Sequence, residues 1–221
     1  DHLEALGFEK ETDWVEFNVQ IPEVMPEKMV RIADIVRRKY DLHLAPRNMS
    51  MKKFLGKYGS SFFTCINEAF KPLFGYSELT ERQKRDYLDM YCMVLDIDLI
   101  SLVLDKDERV VACGVAMPSL SKALQKSGGK LFPFGWWHLL KALKWKHSET
   151  ADLLLGAVLP EYQGKGLNAV FISDLHPNFI KGGFKQVETN VELESNSKIQ
   201  SQWAYFENRQ HKRRRCFTKK L

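Results

Sequence analysis

Cysteine is scarce in this chain of 221 residues, and its four copies (Cys65, Cys92, Cys113, Cys216) lie too far apart for a zinc site or a disulfide framework. No stretch approaches the roughly 18 apolar residues of a membrane span. The opening Asp1-His2-Leu3-Glu4 has neither the basic start nor the apolar run of a secretory signal. Without such a signal, reduced thiols in a cytoplasmic domain are the expectation. Internal repeats and low-complexity segments are also missing. The first residue is Asp1, not Met, which fits a piece of something longer. What is present, 44% apolar and 28% charged residues, excludes a disordered chain and allows one large domain or two small ones.

Acid is absent after Glu207, where Arg209, Lys212, Arg213, Arg214, Arg215, Lys219 and Lys220 supply seven positive charges. Without those seven, the 33 basic residues fall to 26 against 28 acids. The net charge of +5 is therefore one local patch and not a surface spread over the fold, and no nucleic-acid partner is expected.

Periodicity orders the rest. Alternation over Asp13 to Val19 predicts a strand, with Gly7 as a turn before it. Helical spacing runs from Pro26 to Tyr40, and again from Met51 to Phe70 with interruptions near Gly56 and Gly59. Thr80 and Gln83 form a capping-box pattern opening a helix to about Leu95. Leu99–Leu104 and Arg109–Met117 read as a hairpin. A short helix at Ser119–Ser127 closes on Gly128-Gly129, and an aromatic helix spans Phe134–Lys146. Ala151–Leu159, almost wholly apolar, predicts a strand buried on both faces. A helix over 167–181, a strand over 184–193, a helix over 196–208 and a strand over 214–219 complete the chain. Helices first, then a hairpin and strand–helix–strand–helix–strand, make a mixed α/β fold around one central sheet.

The sharpest feature is the run Gly156-Ala157-Val158-Leu159-Pro160-Glu161-Tyr162-Gln163-Gly164-Lys165-Gly166. A strand feeds a glycine-rich turn, and a helix begins at once. Unpaired amides and the helix dipole favour an anion there, and glycines let a diphosphate approach without meeting a Cβ. Neither better-known phosphate motif fits. A Walker loop needs Gly-Lys-Ser/Thr, and the dinucleotide fingerprint needs a third small residue with an acid about 20 residues on. Asn168 follows Leu167 here, and Asp174 comes too early.

This run resembles motif A of the GNAT superfamily of N-acyltransferases, in which Gln/Arg-x-x-Gly-x-Gly/Ala follows a strand. Gln163, Gly166 and Asn168 fall on the three positions, with Asn168 departing from the preferred Gly or Ala. The resemblance implies a GNAT-like α/β (α+β) fold: a central mixed sheet flanked by helices, here with a helical N-terminal addition. It implies acetyl-CoA or another acyl-CoA as co-substrate, with no metal. Its pantetheine arm would lie along Gly156, Ala157 and Val158. Its pyrophosphate would lie on Gln163, Gly164, Lys165, Gly166, Leu167 and Asn168. A small-molecule or peptide amine would be the acceptor. Met117–Ala123, Phe132–Gly135 and His211–Arg215 further resemble a bacterial GNAT-like group in which two GNAT-type halves follow one another. Leu6-Gly7-Phe8 is similar to the end of such a half. Residues 1–21 are thus a remnant of a preceding half, a strand completing this domain, or an ordinary first strand, and the GNAT-like domain covers 22–221.

Catalytic groups are less legible. The resemblance implies an Asn after the strand that follows motif A and a Tyr seven residues later as the acid. Asn196 fits the first place, but Trp203 stands at the second, and Tyr205 lies about 200° around a helix from it. Glu188, Glu192 and Glu194 share one strand face by alternation and are candidate bases, as are solvated surface acids of no function. The catalytic candidates are Tyr205, Glu192 and Asn196. His147 and His176 are of a residue type suited to proton transfer but have no visible partner. Trp136, Trp137, Leu140 and Trp145 read best as a core helix with a lysine face. Lining an acyl or acceptor pocket comes second, and lying on a membrane surface is a further reading. The terminal basic run grips an adenosine 3′-phosphate, contacts RNA, or discourages edge pairing, the last being favoured. The functional expectations are an acyl-CoA-dependent N-acyltransferase, a CoA-binding sensor without turnover, or an RNA-associated protein.

Overall fold

The computed structural model describes residues 2–145 and 148–220. Its frame is an eight-stranded mixed sheet. From one edge run β2 (His43–Leu44), β3 (Ile100–Leu104), β4 (Val110–Pro118), β5 (Thr150–Val158) and β6 (Gln186–Thr189), followed by β1 (Glu9–Gln20). On β1, the line of β6 is continued by the two-residue β7 (Glu192–Leu193). The other side of β1 carries β8 (Asn208–Thr218). The N-terminal strand is therefore inside the sheet. A four-residue helix α1 (His2–Ala5) precedes it.

Among the described strands only β5 and β6 pair in parallel, and α7 (Leu167–Lys181) connects them, as a parallel crossover requires. It shares one sheet face with α2 (Glu27–Tyr40), against which it packs. Neighbouring residues of β4 fix the two faces, since side chains alternate along a strand. A Cβ on Gly114 would strike Phe171 and Leu175 of α7, whereas Cys113 meets Cys65 of α3 (Met51–Phe70). Beside α3 lies α4 (Glu81–Val94), whose capping box on Thr80 and Gln83 is formed as the sequence predicts. The connection from β4 to β5 holds α5 (Ser121–Ser127) and α6 (Gly135–Lys144).

Several expectations need correcting. Gly56 and Gly59 do not interrupt α3. A side chain on Gly59 would meet Leu88 at 2.9 Å, so that glycine lets α4 approach, and a neighbour outweighs its weak helix propensity. The expected helix over 196–208 is only α8 (Ser197–Gln200) and a 3₁₀ turn, Ser201–Tyr205. It stops because the Asn208 amide donates to the carbonyls of Trp203 and Phe206, at 2.8 and 3.0 Å. The last strand begins at Asn208 rather than 214 because β1 offers a partner along that whole length. Most of β5 is only half-buried, since β6 accompanies it no further than Leu153. In α6 the tryptophans are exposed, and only Gly135 is buried, so the core reading fails: the helix rests on α5 and the end of β4 by one side, where Leu139, Leu140 and Leu143 are half-buried, and its tryptophans lie outside that contact. Lys146 and His147, part of the expected aromatic helix and of the proton-transfer candidates, lie outside the described residues.

Candidate functional site

The sheet opens at one point. Against β4, the register passes from Val115↔Leu155 to Ala116↔Leu153, leaving Leu154 as a bulge. Pairing with β6 ends at Leu153↔Thr189. Asn190 closes the junction, its main-chain and side-chain amides donating to the carbonyls of Leu153 and Leu154 at 3.1 and 2.9 Å. Beyond it β5 pairs with β4 alone while β7 follows β1, so the two strands diverge into a V.

One limb of the V leads into the glycine turn. Gly164 and Gly166 have φ of 74° and 85°, in the left-handed region that glycine occupies without strain. Gly166 is the N-cap of α7 and offers no side chain to the helix start. The amides of Gln163 and Lys165 donate to Pro160 and Tyr162, both at 3.2 Å. Those of Gly164, Gly166, Leu167 and Asn168 donate to no acceptor among the described residues. Four such donors at a helix start, reinforced by the helix dipole, suit an anion. The Gln163 side chain does not reach outward. Its amide donates at 3.1 Å to the carbonyl of Val158, bracing the turn against the strand and occupying one main-chain group of the Gly156–Val158 edge. Lys165 Nζ lies over the rings of Tyr40 and Tyr162, 5.1 and 5.4 Å from their centroids. A Cβ at Gly164 would enter open space, whereas one at Gly166 would come within 2.9 Å of Ile32 on α2.

Glu192 belongs to the other limb. Its Oε1 accepts a 2.9 Å hydrogen bond from the Trp203 indole, while Oε2 is buried without a partner among the described residues. Burial pushes its carboxyl up to about 7, opposed by the Trp203 bond. Trp203 packs with Val15, Phe17 and Val19 of β1 and lines an apolar cavity of about 40 Å³ shared with Leu153, Ile172 and Phe206. Asn168 couples the limbs by donating at 3.1 Å to Gln202, next to Trp203.

The other candidates are dispersed. Tyr205 is 37% exposed, its ring 5.0 Å from Lys28 Nζ, and no hydrogen bond among the described residues joins it to Glu192 or Asn196. The main-chain amide of Asn196 donates to Leu193. Glu188 does not share a face with Glu192. It aligns with Asn18 on β1 and binds Lys212, whereas Glu192 aligns with Val15, an odd number of residues away. The interruption of the strand at 190–191 reverses the alternation. Glu194 pairs with Lys10 and Arg213 at 2.5 and 3.3 Å. His176 bonds the Pro22 carbonyl at 2.7 Å, a tie between α7 and the segment after β1. Glu16, Glu188 and His211 are close enough to hold a metal ion, but Lys212 and Arg214 already neutralise the two carboxylates. The indole hydrogen bond from Trp203 could not be read from the sequence, because it crosses from a turn to a strand.

No known family model matches the chain. Over 225 residues it is 24% identical to the Escherichia coli protein YghO, which takes in all of this chain and 56% of that protein. Over 161 residues it is 25% identical to a bacterial ceramide synthase of Caulobacter vibrioides, with 73% of this chain and 41% of that protein covered. The chain thus spans about half the length of the curated relatives it matches. Among solved structures, a GCN5-related N-acetyltransferase from Sphaerobacter thermophilus superposes on 98% of this chain and 54% of its own. Its TM-score is 0.57 at 11% identity. A GCN5-related glucosamine N-acetyltransferase region of a fungal β-N-acetylglucosaminidase covers 98% of this chain and 22% of its own, with TM-score 0.58 and 9% identity. At such identities the likeness is one of fold: the chain has the GNAT fold.

Proposed function

We propose that this GNAT-fold chain transfers an acyl group from coenzyme A to an amine. The observation that carries the reading is the set of four unengaged amides at 164, 166, 167 and 168, at the end of a strand that parts from its neighbour. Those donors suit a pyrophosphate. The exposed edge of β5 from Leu155 to Val158 suits an amide-bearing arm running from the turn toward the Leu154 bulge.

Glu192 is the proposed base. An amine attacking the thioester carbonyl must lose a proton, and a carboxylate with a pKa near 7 holds or releases one at neutral pH. The C–N bond forms, the C–S bond breaks, and the thiolate takes up a proton as it leaves. Asn196 and Tyr205 remain the proposed polar partner and acid of this step. One curated relative is named a ceramide synthase, and a ceramide is itself an N-acyl amide, which is in keeping with amide formation.

A second reading is a CoA-binding module without turnover. It is favoured by Trp203, which stands where an acid is expected and is engaged with Glu192. Calorimetry with acetyl-CoA, followed by thiol release in the presence of amines, separates the two. Binding with amine-dependent release that is lost in Glu192→Gln supports transfer. Binding with no release from any amine favours the module, and no binding at all removes both.

A further inference from the structure

We infer that the α5–α6 connection docks this chain on an anionic lipid surface. Strands β4 and β5 are antiparallel neighbours, which a two-residue turn could join. They are instead separated by residues 119–149. Between Glu108 and Glu149 the sequence contains no Asp or Glu, while it contains Arg109 and six lysines at 122, 126, 130, 141, 144 and 146. The one acid of the connection, Glu149, stands at its very end and is paired with Lys185.

Its aromatic side chains face outward, while Leu139, Leu140 and Leu143 are half-buried. Phe132 is 75% exposed, Phe134 70%, Trp145 63%, and Trp136 and Trp137 45% each. Trp136, Trp137 and Trp145 lie in a row, with centroids 5.8 and 5.5 Å apart. Exposed apolar side chains gathered in this way mark an interaction surface. Lys126, Lys130, Lys141 and Lys144 are exposed and form no ion pair among the described residues. At ten residues α6 is too short to cross a bilayer, and among the described residues no helix is long and apolar enough to do so. Aromatic side chains at headgroup depth, with lysines extending toward the phosphates, are the arrangement of a helix lying in the interface.

Charge selects the occupant. A second copy of the chain would set lysine against lysine, whereas anionic headgroups supply the complementary charge and the acyl layer accepts the rings. The connection leaves β4 at Pro118 and rejoins β5 at Thr150, the end of β5 away from the 163–168 turn. The docking inference stands without the acyl-transfer reading. Taken with it, the cofactor turn stays on the aqueous side while the opposite end of β5 faces the lipid.

The test is co-sedimentation of the full chain with vesicles of phosphatidylcholine alone or with about 30% phosphatidylglycerol, the anionic fraction being our choice of a strong surface charge. Partition should be at least roughly tenfold stronger on the anionic vesicles and should fall about tenfold between low and high salt. Each of Lys141→Gln and Lys144→Gln should weaken it about fivefold. Phe134→Ser with Trp145→Ser should weaken it by roughly tenfold or more, with unchanged circular dichroism, because both side chains are largely outside the fold. Equal partition onto the two vesicle types would overturn the inference. So would anionic binding that the aromatic pair does not alter, or retention by single-stranded RNA stronger than by the vesicles. None of these outcomes depends on coenzyme A.

Discussion

Two regions of this molecule look positive in the sequence, and they have opposite fates. Between 163 and 168 the formal charge is one lysine, yet four main-chain donors are left open. Between 208 and 218 cations crowd together, and the fold occupies those from Lys212 to Arg215. Arg215 and Arg213 bond Asp13, at 2.8 and 2.6 Å, and Lys212 bonds Glu16 and Glu188, at 3.1 and 2.6 Å. Arg214 also bonds Glu16. The Asp13 carboxyl is held well below the usual carboxylate range, chiefly by the Arg215 hydrogen bond. What a region can offer a ligand depends on which groups the chain leaves without partners. A count of charges misses both the surplus in the turn and its exhaustion in the strand.

The largest expected effect concerns the turn. Gly166→Val should abolish acetyl-CoA binding by calorimetry, because φ of 85° strains a β-branched residue and its Cβ would press on Ile32. Since that variant also risks misfolding, Gly164→Ala is its control. Its added Cβ meets nothing, so it should fold and bind several-fold more weakly, the strain at φ 74° being of the order of 1 kcal/mol.

Next comes turnover. Glu192→Gln should lower the rate by about 10² to 10⁴ while leaving CoA affinity intact. The wild-type profile should rise with pH through about 7, as the carboxyl becomes the base. Stability should run the other way. A carboxyl whose pKa is raised by folding favours the native state below its unfolded pKa and loses that contribution as pH climbs through about 7. A pH-rate profile still rising near 7 in the Gln variant would remove Glu192 from the chemistry.

In the strand, Lys212→Gln with Arg214→Gln should lower the melting temperature and leave CoA affinity within about twofold, since these cations serve β1. A clear loss of CoA affinity would break the contrast between the two regions. Asp13→Asn sharpens it through acid unfolding. A depressed carboxyl stabilises above the ordinary carboxylate range and ceases to as pH falls through its folded value, so the variant should lose that part of the acid dependence. The smallest effect belongs to Trp203→Phe. Loss of the indole donor should raise the Glu192 pKa further, moving the rate limb to higher pH.

Elements with strong local signals were readable in advance. The capping box of α4, the 100–118 hairpin and the α7 start after two glycines each depend on residues within a few positions of one another. Elements shaped by distant partners were not. The early end of α8 hangs on Asn208, the side to which Glu192 points hangs on the interruption of the strand at 190–191, and the exposure of the α6 tryptophans hangs on which side of that helix meets α5 and β4.

By itself the chain determined where glycine permits a left-handed turn, where apolar spacing makes a helix, and that the basic excess is confined to its end, because these are properties of neighbours in sequence. Only tertiary structure decided that β5 and β6 part at Leu153, that Trp203 meets a buried Glu192, and that Lys212 to Arg215 are matched by Asp13, Glu16 and Glu188. Those outcomes rest on contacts between residues as much as two hundred positions apart, where desolvation and pairing set the energy and local pattern carries no information.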